Sequence, residues 1–124
     1  MLEEEALTEN IIGAAIEVHR ALGPGLLESA YQQCMAQELT LRGINFRREV
    51  DLPVHYKGVL LDCGYRMDFV IEEKVVLECK SIEKLIPINE AQLLTHLKLS
   101  GYRIGLLINF NSVVIRNSII RRII

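Results

Sequence analysis

Tyr65-Arg66-Met67-Asp68-Phe69-Val70-Ile71-Glu72-Glu73-Lys74-Val75-Val76-Leu77-Glu78-Cys79-Lys80 is the stretch that decides the fold. Residues 65–71 alternate. Tyr65, Met67, Phe69 and Ile71 share one face of a strand, and Arg66, Asp68 and Val70 take the other. Glu72-Glu73-Lys74 makes a hairpin tip, and residues 75–80 return as the next strand. A short hairpin sets distant positions side by side, so Asp68 lies beside Glu78 or Lys80. Those two share a face, and Cys79 points away from them.

Helices flank this hairpin. Thr8 is a good N-cap, and Ile11, Ile12, Ala15, Ile16, His19 and Leu22 follow at helical spacing. Gly23-Pro24-Gly25 stops that helix. A second helix is expected over 27–42, closed by Gly43, with Leu27, Tyr31, Cys34 or Met35, and Leu39 inward. Residues 1–7 read as an acidic N-terminal segment before a single domain over 8–124. Ile44, Phe46, Arg48, Val50 and Leu52 predict a strand with one common face, and Val54-His55-Tyr56 a strand ending in a Lys57-Gly58 turn. Pro87 and Asn89 introduce a third helix over about 90–100, ended by Gly101. Residues 104–110 form an apolar strand, with 113–116 as its hairpin partner. Residues 119–124 add an edge strand or pack on another chain. The order predicts an α/β fold with a mixed central sheet, and the step from 75–80 to 104–110 permits a right-handed parallel crossover.

Composition narrows the function. The chain has 124 residues, half of them apolar, with 14 basic and 16 acidic side chains and a net charge of −2. That excludes a strongly basic coat for nucleic acid, though not an enzyme with a local basic rim. Cys34, Cys63 and Cys79 form no C-x-x-C pair, which argues against a zinc site or disulfide framework and for a reducing cytoplasm. Met1-Leu2-Glu3-Glu4-Glu5 has the wrong charge for a secretory signal, and no apolar run approaches the roughly 20 residues of a membrane helix. Nothing resembles a phosphate loop, a Ser/His/Asp order or a dinucleotide fingerprint. With no Trp, a stacking platform for single strands has little support.

The chemistry concentrates at Asp68, Glu78 and Lys80. Two converging carboxylates repel unless a cation lies between them, and Mg²⁺ suits that role because it takes oxygen ligands. Lys80, two residues beyond, is placed to orient water or to neutralise charge on a phosphoryl oxygen. The plainer reading is a cross-strand ion pair on a solvated face. Glu28, in the first turn of the second helix, either stabilises that helix N-terminus or adds a third carboxylate. Tyr31, one turn on, reads as a core aromatic with a wet hydroxyl. Asn89 and Gln92 resemble a capping box, with Gln92 alternatively contacting a phosphate or a metal-bound water. His96 shares the Gln92 face. Basic residues fall in small groups, among them Arg47-Arg48 and Lys80 with Lys84. His96, Tyr31, Arg66 and Lys84 are the candidate substrate contacts.

Taken together, Gly25-Leu26-Leu27-Glu28-Ser29-Ala30-Tyr31, residues 19–25, Asp68, Glu78-Cys79-Lys80, Glu90-Ala91-Gln92-Leu93-Leu94 and residues 105–110 resemble the GxxExxY proteins, a family grouped with the PD-(D/E)XK nuclease superfamily. The resemblance implies a restriction-endonuclease-like αβββαβ core, preceded here by an extra helix and followed by a C-terminal strand or hairpin. It implies metal ligation of Mg²⁺ or Mn²⁺ by Asp68 and Glu78, joined by Glu28 and the Cys79 carbonyl. Lys80 is then the catalytic lysine, and Gln92 the polar residue of the following helix. The chain departs from the pattern at His96, where the exonuclease branch has Tyr, and at Cys79, where an aliphatic residue is usual. The expected function is metal-dependent phosphodiester hydrolysis of nucleic acid, with DNA favoured over RNA. The competing expectations are a catalytically silent module binding nucleic acid, metal or protein, and a homodimer built through residues 119–124.

Overall fold

The computed structural model describes residues 3–124. The elements are α1 (Glu5–Leu22), α2 (Glu28–Leu41), β1 (Phe46–Asp51), β2 (Val54–Tyr56), β3 (Val59–Leu61), β4 (Arg66–Ile71), β5 (Val75–Lys80), α3 (Pro87–Ser100), β6 (Ile104–Asn109) and β7 (Ile119–Ile123). Five strands form one sheet in the order β1-β4-β5-β6-β7, and β2 and β3 form a separate hairpin. Among the described residues only β5 and β6 run parallel, and α3 is their crossover. This is the mixed α/β sheet that the residue pattern predicts.

Two apolar layers cover the sheet. On one side α1 and α2 bury Ile11, Ala14, Val18, Tyr31, Met35 and Leu39 with Phe69, Leu77, Cys79 and Phe110. On the other, Leu93 and Leu97 of α3 pack with Leu52, Met67, Val70, Val76 and Leu107. β5 and β6 carry near-continuous apolar runs because both of their faces are covered.

Several boundaries differ from expectation. α1 starts at Glu5, and Thr8 is not its N-cap: its buried hydroxyl turns back to the carbonyls of Glu4 and Glu5 at 3.2 and 3.1 Å. Within the acidic segment 1–7, residues 1–2 lie outside the described residues. Glu3 and Glu4 form a turn, and the rest is helical. The buried stripe of α1 centres on Ala14 and Ala15 rather than on Ile12 and Ile16, and Leu22 is exposed. Leu27 is the exposed N-cap of α2 instead of a core residue. Residues 113–116 are not a strand. The free edge of β6 is taken by β7, while Ile115 anchors a single 3₁₀ turn in the core.

The most informative difference lies in β1 and β4, neither of which keeps one face. Phe69 and Ile71 of β4 join the α1/α2 layer, but Met67 joins the α3 layer, so the face changes at Asp68. In β1, Phe46 packs on the first layer, and Val50 and Leu52 on the second. Glu49 falls opposite Asp68 in the register, with φ of 52°. A non-glycine residue in the left-handed region turns the strand locally, and the two neighbouring strands turn together.

Candidate active site

The turn in β4 creates the site. Regular β4–β5 pairing runs from Ile71↔Val75 to Phe69↔Leu77 and stops before Asp68 and Glu78. Where the strands part, side chains replace the ladder. The Cys79 N–H donates to Asp68 Oδ2 at 2.8 Å, and the Asp68 N–H reaches Glu78 Oε2 at 3.4 Å. Glu78 Oε1 pairs with His96 Nδ1 from α3 at 2.5 Å. Asp68 and Glu78 therefore converge.

Their charges are held at a cost. Burial first, and then the Glu78 carboxylate, pushes the Asp68 carboxyl from an ordinary 3.8 up to about 7, against the pull of the Cys79 N–H. Burial also raises Glu28. Lys80 opposes that rise, while Glu78 and Glu49 add to it, so four carboxylates and one ammonium lie within electrostatic reach. The Cys79 thiol, fully buried between core side chains, is pushed well up by burial and by the same acids.

The loop that aims Glu28 is firmly tied. Gly23 and Gly25 adopt φ of 70° and 100°, a conformation that L side chains resist. Tyr31 Oη donates to the Gly23 carbonyl at 2.6 Å and accepts from the Leu26 N–H at 3.1 Å. The Gly25 N–H donates to Asn111 Oδ1 at 3.0 Å, and Ser81 Oγ donates to the Leu26 carbonyl at 2.5 Å. Asn109, buried beside Lys80 in the register, accepts from the N–H groups of Ile82 and Asn111 and donates to the Ile82 carbonyl. One network thus holds the start of α2 and the segment just after Lys80. Tyr31 is fully buried with its hydroxyl satisfied inside, so it supports the loop and offers no wet surface to substrate.

The capping box at α3 is also rearranged. Ile86 is the N-cap, and Asn89 is the residue that reaches back, accepting from the Ile86 N–H at 2.9 Å. Gln92 is left without a capping role. Gln92 and His96 line a groove of about 440 Å³ with Val54, Tyr65, Ile88, Ala91, Thr95 and Leu99. Lys84 is elsewhere, on a polar cavity with Glu83, Asn109, Asn111 and Ser112. Arg66 is exposed and pairs with Asp51 at 3.4 Å. Sequence reasoning overlooked Glu49, Ser81 and Asn111. Glu49 carried no signal between Arg48 and Val50. The two asparagines flanking Phe110 were legible as polar residues ending an apolar strand.

Among the described residues, no three His, Cys, Asp or Glu side chains already form a ligand cage. The donor chemistry nonetheless fits a hard divalent cation. The cluster offers carboxylate oxygens with costly excess negative charge: burial and Glu78 raise Asp68, and burial raises Glu28. A mixed sheet whose β4 and β5 part beside two acids, with a lysine two residues on, is a mixed α/β domain with a charged margin. Residues 5–123 match the model of the PD-(D/E)XK nuclease superfamily, and the chain belongs to that superfamily. Its members are generally divalent-metal dependent, and the fold supports a nuclease-like function. No curated protein and no solved structure matches the chain. No helix among the described residues is long and apolar enough to cross a membrane.

Proposed function

We propose that this chain is a phosphodiesterase that cleaves nucleic acid, DNA in preference to RNA, with Mg²⁺ or Mn²⁺. The observation that carries the reading is the parting of β4 from β5, which brings Asp68 and Glu78 together and ties Asp68 Oδ2 to the Cys79 N–H. Asp68, Glu78, Glu28 and the Cys79 carbonyl would hold the ion. Bound there, it supplies charge neutralisation at the phosphate and a water of lowered pKa. His96 orients Glu78 through the 2.5 Å contact. Lys80, free of any ion pair among the described residues, donates to the phosphoryl oxygen on which charge grows. Gln92, unencumbered at the groove wall, steers the substrate strand. The test is cleavage of labelled DNA and RNA with each metal, comparing the native chain with Lys80→Ala. A loss of about a hundredfold or more is expected, and equal turnover rejects the assignment.

A second reading has one observation behind it. Both oxygens of Glu78 are engaged internally, one by His96 and one by the Asp68 N–H. A module that binds metal or nucleic acid without turnover fits that arrangement. Mn²⁺ binding by calorimetry with no cleavage of any nucleic acid selects it.

A further inference from the structure

The β2–β3 hairpin is an arm with no core of its own. None of its residues belongs to either apolar layer. Its register pairs Val54 with Leu61 and Tyr56 with Val59, which puts four apolar side chains on one face, with His55 and Leu60 on the other. An isolated two-stranded hairpin is marginal in water and needs something to pack on. Here Tyr56 is 60% exposed, Val59 54%, Leu60 57% and Leu61 41%. The nearby Tyr65 and Ile88, on the walls of the Gln92–His96 groove, are 55% and 56% exposed.

We propose that this arm and the first turn of α3 form the interface with a second copy of the same chain. The area is right. Leaving out Leu60 on the far face, those residues, with Ile86, expose roughly 600 Å² of largely apolar surface per chain, three-quarters of the approximately 800 Å² per partner of a standard interface. An isologous contact pairs a patch with itself, so an apolar patch meets an apolar patch with no other partner required. Charge agrees. From Val54 to Tyr65 the only ionic residues are Lys57 and Asp62. Antiparallel arms bring the Lys57 at the tip of one towards the Asp62 at the base of the other. The patch borders the groove lined by Gln92 and His96, so the second copy adds a wall to the groove that holds His96, the partner of Glu78.

The expectation of pairing through residues 119–124 is thereby moved. The β7 edge is guarded by Arg121, which reaches the Glu3 carbonyl and Thr8 Oγ1, and by Arg122, which pairs with Glu90. Charged side chains on an edge strand oppose edge-to-edge association.

The test is mass by light scattering and sedimentation for the full chain, which needs no enzyme activity. At about 100 µM the native chain is expected at twice its 14.1 kDa mass. The double variant Val59→Glu with Leu61→Glu, at exposed positions that leave both cores untouched, should weaken self-association about a hundredfold or more. Its melting transition reports that it still folds. Ile124→Glu, at the exposed end beyond β7, should leave the dimer intact. A monomeric native chain at that concentration overturns the proposal. So does a dimer that survives the arm variant or is lost only with Ile124→Glu. A monomer whose arm variant loses affinity for a single-stranded oligonucleotide also overturns it, assigning the arm to nucleic acid.

Discussion

Replacing Asp68 with Asn should make the metal-free protein more stable while removing its metal affinity. The side chain is half-buried, and its carboxyl is pushed up to about 7 from 3.8 by burial and by Glu78. At pH 8 the charged form is therefore held against a penalty of about 4 kcal/mol at ~1.4 kcal/mol per pKa unit. Asn keeps an oxygen for the Cys79 N–H and places an amide donor towards Glu78. Water reaching the carboxylate and the stronger ionic bond it accepts take back about half, leaving about 2 kcal/mol. For a chain of this length that is about 8 °C in Tm. The sign follows from linkage. A raised folded-state pKa means that the native fold binds the proton more tightly, so this contribution is full below about 4 and is lost as pH rises through about 7. Melting curves with chelator should show Asp68→Asn above the native chain at pH 8 and the gap closing towards pH 5. Added Mn²⁺ should raise only the native chain. A variant less stable than native at pH 8, or a gap indifferent to pH, would refute the view that the fold carries an uncompensated buried charge here.

Other outcomes follow from the same geometry. Mn²⁺ affinity, measured by calorimetry, should fall about tenfold per pH unit below about 7, because the ion must displace the Asp68 proton; affinity that is flat between pH 5 and 8 excludes Asp68 as a ligand. Gly105→Ala places a Cβ 2.8 Å from Leu93 Cδ1 and 3.1 Å from Leu97 Cδ1, so the Leu93 and Leu97 side chains must give way in the layer between α3 and β6. Denaturant unfolding should register a loss of about 1–3 kcal/mol. Tyr31→Phe removes the hydrogen bonds to Gly23 and Leu26 while keeping the stacked contact with Phe110 at 4.8 Å. A stability loss of about 1–2 kcal/mol is expected. A lower turnover should accompany it, with substrate affinity little changed, as the Glu28 loop loosens; unchanged turnover separates this loop from the chemistry.

The order of elements was legible because each leaves a one-dimensional signature: period two in 65–71, the apolar Val75-Val76-Leu77 opening the next strand, a proline and a glycine bracketing α3. The acids were legible for the same reason, since a three-residue hairpin tip leaves few registers. What alternation cannot show is the place where a strand abandons it. Met67 and Phe69 share a parity, as do Phe46 and Val50, yet each pair ends on opposite layers because β1 and β4 turn at Glu49 and Asp68. That turn is a property of two strands read together, and neither sequence segment contains a glycine or proline to announce it. The turn ends the β4–β5 ladder and frees the Cys79 N–H for a carboxylate. It thereby sets the two acids facing each other at the margin between the helical layers. The Gly25/Glu28/Tyr31 spacing was readable as a motif but not as a mechanism. Its partners, Ser81 and Asn111, lie 55 and 86 residues away from the backbone groups they hold, and only closure of the sheet brings them there. In this protein the residues that carry charge are visible locally, and the distortion that makes their charge useful is visible only in three dimensions.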